Sequence, residues 1–366
     1  MESEEPKRIN EEGIVEGRTY TSNVSKLLKH LPKIKRLQDG KRPSPVMFHM
    51  SPANPCNMTC SFCCFANRTL KEMLTYEQMT TAIDSFVELG VTGMELTGGG
   101  EPTLHPDFGR VVNYAYDKGL KIGVVTNGTM IPKWHKVGGV WDKLEWIRLG
   151  MYGFYEGYEY DIEALRTYPN LTIGGAYIWD ENFEDSDNPN VTGNWETKEG
   201  DKKGKRLAKN RQTPEHFEKM LKWVEKEKIP TRIAFNSIKV SEIIKEDIAL
   251  IKDRIKDRGL KYAFLSDFNW KGERRDSKCY MHNFKPFVFT DGNVYVCPCA
   301  EMSVENAYRV NSEFKICDID GILDFYNNVQ KNNGVERTHA CTYCKYAAQN
   351  ELIGDAMTET QHNDFA

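Results

Sequence analysis

The chain has 366 residues, of which 40% are hydrophobic and 28% charged, an ordinary composition for a globular protein with one large domain, or one large and one smaller domain. Its formal net charge of −4 excludes an overall basic field that would recruit nucleic acid or a membrane surface. It has no run of about eighteen apolar residues, and its polar N-terminus lacks the apolar core of a signal peptide, so we expect a cytoplasmic protein without a membrane partner.

Strands and helices alternate along most of the chain. The predicted strands lie at 47–51, 94–97, 121–126, 145–151, 171–178, 231–235 and 261–266. Apolar residues at helical spacing predict helices at 23–38, 76–89, 106–118, 156–166, 214–228 and 241–258. This alternation implies an α/β fold with a parallel sheet, and about six such units predict a barrel or partial barrel. In such barrels the chemistry lies at the C-terminal ends of the strands.

A polar insertion at 180–212 interrupts the alternation. Its length predicts a lid or a binding loop over the active face. The insertion carries a basic run over 202–211. Such a run is usually a solvated loop, and recognition of an acidic or phosphorylated substrate is the alternative.

The ten cysteines fall into two groups, four within 56–64 and six within 279–344. In a cytosolic chain of this size, such clusters indicate metal binding or catalysis rather than disulfides. In the first group, Cys56, Cys60 and Cys63 are separated by three residues and then two. This spacing suits three thiolates on one soft metal site that keeps a fourth position open. A zinc site would require a fourth ligand, for which His49 is the nearby candidate.

The spacing of Cys56, Cys60 and Cys63, with Phe62 before the last cysteine, resembles the radical S-adenosylmethionine (SAM) superfamily. The resemblance implies a partial (β/α)6 barrel and a 4Fe–4S cluster held by these three cysteines, which are the predicted catalytic residues. In that family the open iron chelates SAM, and reductive cleavage releases methionine and a 5′-deoxyadenosyl radical. An external one-electron reductant such as flavodoxin or ferredoxin is implied as a partner.

Two further loops resemble parts of the SAM pocket of that family. The loop after the second predicted strand resembles its GGEP loop, which grips the amino group of SAM. The loop after the third strand contains Asn127-Gly128, for which a plain turn is the alternative. The residues that the resemblance implies as cofactor-binding are Phe62, Gly98, Gly99, Gly100, Glu101, Pro102, Thr126 and Asn127.

The C-terminal cysteines resemble a SPASM/twitch extension with an auxiliary 4Fe–4S cluster. A hairpin over 287–297, turning at Asp291-Gly292, precedes the later pair of cysteines. The implied ligands are Cys279, Cys297, Cys341 and Cys344. Cys299 is an alternative to Cys297, and a structural zinc site is the alternative to the cluster. We expect Cys64 and Cys317 to be buried side chains outside these sets.

The predicted organisation is an N-terminal extension (1–45), a radical SAM barrel (46–270), an auxiliary cluster domain (271–346) and a tail (347–366). We expect an oxidoreductase-type or isomerase-type enzyme that abstracts hydrogen from a substrate, with a peptide or protein side chain as the first choice. The alternatives are a sugar, cyclitol or nucleotide dehydrogenase or epimerase, and a non-enzymatic zinc-binding α/β scaffold. Nucleic acid is not an expected partner, although the sequence does not exclude it.

Overall fold

A computed structural model of the chain describes residues 26–41, 44–58, 60, 63, 65, 71–179, 195–197, 204–206, 213–235, 249–256, 258–265, 278–298, 314–328, 335–336 and 346–358. The strands are β1 (Met47–Met50), β2 (Gly93–Leu96), β3 (Lys121–Thr126), β4 (Leu144–Gly150), β5 (Thr172–Trp179), β6 (Trp195–Thr197), β7 (Gly204–Arg206), β8 (Thr231–Phe235), β9 (Ala263–Leu265), β10 (Lys278–Cys279), β11 (Phe287–Val288), β12 (Asn293–Tyr295), β13 (Lys315–Asp318) and β14 (Val335–Glu336). The described α-helices are Leu31–Gln38, Tyr76–Glu88, Phe108–Asp117, Ile131–Val137, Gly153–Glu156, Ile162–Arg166, Pro214–Glu227, Ile322–Asn327 and Ala347–Met357.

One ten-stranded sheet forms the centre of the structure, in the order β13-β12-β11-β1-β2-β3-β4-β5-β8-β9. From β11 to β9 every neighbouring pair is parallel. All seven predicted strands are present with small shifts in their ends, and the predicted α/β fold class with a parallel sheet is confirmed.

The C-terminal hairpin is part of this sheet. β11 pairs in parallel with β1, with His49 opposite Phe287, and Ser51 donates its N–H to the carbonyl of Val288 at 2.9 Å. β12 and β13 then continue in antiparallel order. The predicted turn at Asp291-Gly292 is present, with Gly292 at φ 77°, a value that glycine adopts without steric penalty. The sheet therefore crosses the predicted boundary near residue 270, and the division into domains stays a prediction.

The helices differ from the sequence prediction in three places, one of which is the helix Ala347–Met357 in the segment predicted as a tail. The helix expected over 156–166 is two short helices, Gly153–Glu156 and Ile162–Arg166, separated by Gly157 in the left-handed conformation. The helix Ile131–Val137 was not predicted, because it is short and buries only Ile131 and Trp134. Within the predicted helix at 241–258, residues 241–248 lie outside the described part of the chain.

Alternating side chains of the parallel strands have different environments. On β1, Phe48 is buried against the helix Tyr76–Glu88, where its ring stacks on Phe86 at 4.3 Å. His49, one residue further along, faces the opposite side of the sheet together with Glu95. Because side chains alternate along a strand, one face of the sheet carries the apolar core and the other lines the barrel interior.

The helix Tyr76–Glu88 begins at a capping box. The side chain of Thr75 accepts from the N–H of Gln78 at 3.2 Å, and the side chain of Gln78 accepts from the N–H of Thr75 at 2.8 Å. Such a cap contributes about 1 kcal/mol. It stabilises the helix that follows the cysteine loop. Among the described helices, none has the length and apolar character needed to cross a bilayer.

Candidate active site

The cysteine loop follows β1 at the C-terminal edge of the sheet. Cys56, Cys60 and Cys63 are each partly exposed, and the N–H of Cys63 donates to the carbonyl of Cys60 at 3.2 Å. Among the residues that the structure describes, no group of three or more His, Cys, Asp or Glu side chains is arranged to hold a metal ion. The assignment of these cysteines as ligands therefore stays a prediction. Phe62 and Cys64 lie outside the described residues.

The glycine loop after β2 packs against the backbone that leads into the cysteine loop. The N–H of Glu101 donates to the carbonyl of Pro55 at 2.9 Å. A Cβ atom at Gly99 would lie 2.1 Å from Oδ1 of Asn54, and a Cβ atom at Gly100 would lie 2.1 Å from the carbonyl oxygen of Pro55. Both glycines are therefore required by the close contact of the two loops.

Glu101 lies inside the protein, with 3% of its surface exposed. One carboxylate oxygen accepts from the N–H of Thr103 at 3.0 Å and from the hydroxyl of Thr126 at 2.6 Å. The other accepts from the N–H of Asn127 at 2.7 Å. Burial raises the pKa of Glu101, and these hydrogen bonds oppose the rise. In this structure the carboxylate holds the loops after β2 and β3 together rather than facing a ligand, and Thr126 is buried in the same contact.

Asn127 follows β3 and contacts the cysteine loop directly. Its Nδ2 donates to Oδ1 of Asn57 at 2.8 Å and lies 4.0 Å from Sγ of Cys56. Its Oδ1 accepts from the N–H of Thr129 at 3.0 Å, and its carbonyl accepts from the hydroxyl of Tyr158. The side chain predicted to bind the cofactor therefore lies against the first cysteine of the loop and the residue that follows it.

Three tyrosines beyond β4 complete the wall of the site. The hydroxyl of Tyr160 donates to the carbonyl of Gly150 at 2.7 Å. Burial raises the pKa values of Tyr152, Tyr158 and Tyr160 above their usual range, and the charge of Cys60 contributes to each rise. Sequence reasoning missed Tyr158 and Tyr160, because no motif marks them and aromatic residues are common in cores.

Charged side chains occupy the barrel interior below these loops. Nδ1 of His49 lies 3.6 Å from Oε1 of Glu95, and Nη2 of Arg148 lies 3.3 Å from the same oxygen. The ring of Trp146 packs where a Cβ of Gly123 would otherwise lie, at 2.1 Å.

The C-terminal cysteines are described in part. Cys279 is buried in an apolar cluster that also contains Tyr346, and Cys297 packs against the same cluster. Cys317 lies on β13 opposite Val294 and is partly exposed, so the prediction that it is buried is wrong. Cys299, Cys341 and Cys344 lie outside the described residues. The structure thus brings the predicted auxiliary ligands Cys279 and Cys297 close to Tyr346. Tyr346 follows shortly after Cys341 and Cys344, the other two predicted ligands, in the sequence.

Asn350, on the helix Ala347–Met357, contacts the backbone on both sides of Cys279. Its Oδ1 accepts from the N–H of Tyr280 at 2.7 Å, and its Nδ2 donates to the carbonyl of Lys278 at 2.8 Å. The sequence offered no signal for this residue. Of the predicted insertion, only β6 and β7 are described, and they form an antiparallel pair.

The residue types in these loops suit a cluster with an organic ligand beside it. In the described part of the chain, the buried hydroxyl of Ser51 has no hydrogen-bond partner. Its Oγ lies 3.0 Å from the position of a Cβ on Gly99 and 3.1 Å from that of a Cβ on Gly98. Thiols of the type that binds iron and a buried hydroxyl without a partner in the described part of the chain thus lie next to the glycine loop.

Comparison with known proteins identifies the family of one segment. Residues 50–149 match the Radical SAM superfamily. This segment is a radical SAM domain. It contains the last residue of β1, all of β2 and β3 and most of β4, together with the cysteine loop, the glycine loop and the loop of Asn127. For this segment, the family predicted from the sequence is confirmed. Proteins of this family use a 4Fe–4S cluster and SAM.

The curated relatives of the chain are named as enzymes, and the chain matches each over part of its length. It is 41% identical over 76 residues to an S-adenosylmethionine-dependent nucleotide dehydratase of Selenomonas ruminantium, covering 21% of this chain and 27% of that protein. It is 26% identical over 241 residues to the Fe-coproporphyrin III synthase of Methanosarcina barkeri, covering 64% of this chain and 54% of that protein. The chain thus spans about a quarter to a half of the length of these relatives.

Among solved structures, the chain resembles SuiB of Streptococcus suis bound to the precursor peptide SuiA. The TM-score is 0.51 at 14% identity, and the match covers 92% of this chain and 79% of SuiB. At this identity the likeness shows a shared fold.

Proposed function

We propose that the chain reductively cleaves SAM and abstracts a hydrogen atom from an organic substrate. The contact between the cysteine loop, the glycine loop and the loop of Asn127 at one edge of the parallel sheet is the observation that carries this proposal. Cys56, Cys60 and Cys63 would hold the 4Fe–4S cluster. When bound, the cluster supplies the electron that splits SAM into methionine and a 5′-deoxyadenosyl radical.

The chain's own residues would bind SAM and exclude water. Gly99 and Gly100 allow the glycine loop to pack against the backbone that leads into the cysteine loop, and the hydroxyl of Ser51 is available to the ligand. Glu101 acts through Thr126 and Asn127, whose positions it holds. The neutral, partly buried Tyr158 and the buried Tyr160 close one side of the site, which protects a reactive radical from side reactions.

A peptide or protein side chain is the proposed substrate. SuiB is described in complex with a precursor peptide, and its fold matches 92% of this chain. A nucleotide is the second candidate, because the S. ruminantium relative is named as a nucleotide dehydratase and is 41% identical over 76 residues. Flavodoxin or ferredoxin is the proposed source of electrons.

We also propose an auxiliary 4Fe–4S cluster bound by Cys279, Cys297, Cys341 and Cys344. The shared apolar cluster of Cys279, Cys297 and Tyr346 supports this proposal. Two such clusters correspond to about eight irons per chain, and loss of either one leaves about four. Bound zinc in a colourless protein would favour the scaffold alternative instead.

The deciding experiment is anaerobic reconstitution followed by reduction with dithionite in the presence of SAM. We expect 5′-deoxyadenosine from the wild-type chain and none from Cys56→Ala. The matched control is Cys64→Ala, which changes a cysteine outside the motif and should still form 5′-deoxyadenosine. Substrates with deuterium at unactivated carbons, either peptides or nucleotides, are then compared for deuterium transfer into 5′-deoxyadenosine. Full turnover by Cys56→Ala contradicts the proposal, and transfer only from nucleotides replaces the peptide with the second candidate.

A further inference from the structure

We propose that Asn57, Asn127 and Thr129 form a hydrogen-bonded ring that positions Cys56 and raises the reduction potential of the cluster at that cysteine. We name these three residues the amide ring. The inference rests on the proposed function, because it assumes a cluster at the cysteine motif. It assigns the side chain of Asn127 to the cluster rather than to SAM.

The amide ring is closed by three side-chain hydrogen bonds. Nδ2 of Asn57 donates to Oγ1 of Thr129 at 2.8 Å, and Oγ1 of Thr129 donates to Oδ1 of Asn127 at 2.7 Å. Nδ2 of Asn127 donates to Oδ1 of Asn57 at 2.8 Å. Each side chain therefore both donates and accepts, an arrangement in which hydrogen bonds strengthen one another.

The backbone determines which way the carboxamide of Asn127 points. The N–H of Thr129 is only a donor, and it lies 3.0 Å from Oδ1 of Asn127. The amide oxygen must therefore face Thr129, and the amide nitrogen must face the cysteine loop. Gly128, at φ 82°, makes the turn that brings Thr129 back over Asn127.

The amide nitrogen carries two hydrogens, and the second has a sulfur neighbour. Nδ2 of Asn127 lies 4.0 Å from Sγ of Cys56, and the backbone N–H of Met58 donates to the same sulfur at 3.5 Å. Reduction of a cluster adds negative charge to its sulfurs. N–H groups that face a ligand sulfur stabilise the reduced form and raise the potential.

Asn127 is held firmly enough to act in this way. Its backbone N–H is bound by the buried carboxylate of Glu101 at 2.7 Å, and its carbonyl is bound by Tyr158. Asn127 itself is buried, with 5% of its surface exposed, whereas Asn57 is exposed. Asn127 is therefore the rigid member of the amide ring, and it positions the cysteine loop through its hydrogen bond to Asn57.

The test uses three variants of the full chain, each reconstituted anaerobically in a Cys279→Ala background. Asn127→Leu removes both N–H groups at similar volume, Thr129→Val opens the amide ring while keeping the carboxamide, and Thr129→Ser restores the hydroxyl. Iron content, the EPR spectrum of the reduced cluster and its midpoint potential are measured for each. We expect a more negative potential in Asn127→Leu, a smaller shift in the same direction in Thr129→Val, and recovery in Thr129→Ser.

The possible outcomes separate this inference from the proposed function. A fully loaded Asn127→Leu protein with the wild-type potential and EPR spectrum would overturn the amide ring. If Asn127→Leu fails to load, Thr129→Val decides: a negative shift supports the inference, and an unchanged potential overturns it. Wild-type iron content and EPR signal in Cys56→Ala would instead overturn the cluster site itself.

Discussion

The buried carboxylate of Glu101 accepts a hydrogen bond from the backbone N–H of Asn127 at 2.7 Å. This contact joins the loop after β2 to the loop after β3, and the second oxygen of the same carboxylate binds Thr103 and Thr126. The contact explains why an acidic residue is buried here, since four donors surround its charge.

Replacing Glu101 with Gln should destabilise the protein and alter its pH dependence. The amide cannot accept from every donor, so we expect a loss of about 1–3 kcal/mol in the free energy of unfolding. The pKa of Glu101 is raised above its ordinary 4.5 in the folded state. As pH rises, Glu101 therefore loses its proton in the unfolded chain before it does so in the folded chain. The contribution of Glu101 to the free energy of unfolding then falls with increasing pH above 4.5.

Urea denaturation of the wild-type chain and Glu101→Gln between pH 4.5 and pH 8 measures this difference, starting from the ordinary pKa of the carboxyl. We expect the stability advantage of the wild type to shrink as pH rises. An advantage that grows with pH would contradict the assigned direction of the pKa shift.

Gly100→Ala should disrupt the site more than a comparable change elsewhere. The new Cβ would lie 2.1 Å from the carbonyl oxygen of Pro55, a backbone atom that cannot move without shifting the cysteine loop. We expect loss of SAM binding in equilibrium dialysis and a destabilisation of several kcal/mol, in the range of strained backbone sites.

The matched control is Gly119→Ala. Gly119 has φ 83° and nothing within 4 Å of its Cβ position, so only backbone strain of about 1 kcal/mol is expected. SAM binding should be retained. Equal loss of SAM binding in both variants would show that Gly100 has no special role.

Tyr158→Phe removes the hydroxyl that donates to the carbonyl of Asn127. We expect about 1 kcal/mol of destabilisation and weaker SAM binding. Because burial raises the pKa of Tyr158 above its usual range, this residue should add no ionisation to the pH profile of 5′-deoxyadenosine formation up to its ordinary value of 10.0. Tyr116→Phe is the control, since Tyr116 is 50% exposed and should behave as wild type in both measurements.

Asn350→Leu removes both hydrogen bonds that flank Cys279. It leaves the N–H of Tyr280 and the carbonyl of Lys278 without these partners, so we expect about 1–3 kcal/mol of destabilisation. If Cys279 binds the auxiliary cluster, iron content should fall from about eight toward about four per chain. Cys317→Ala is the control, because it changes a cysteine outside both predicted ligand sets and should keep the wild-type iron content. A wild-type iron content in Asn350→Leu would show that Asn350 has no role in binding the auxiliary cluster.

The residues of the cofactor loops were predictable, whereas the contacts between them were not. Cysteine spacing and glycine runs are local patterns, so the loops after β1, β2 and β3 are identifiable from the amino-acid sequence. The roles of Glu101 and Asn127 depend on which atoms face each other across separate loops. Nothing in sequence distance shows that Asn57 and Thr129 share a hydrogen bond.

By itself, the sequence predicted the strands of a parallel sheet, the radical SAM motif of the segment after β1, and the placement of the cofactor loops at one edge of the sheet. These features follow from local spacing and from the handedness of strand–helix–strand connections. Only the tertiary structure decided that β11 pairs with β1 and that Glu101 and Asn127 point into the protein. The reason is physical: strand pairing and polar burial across long separations depend on the packing of the whole chain, which no short segment encodes.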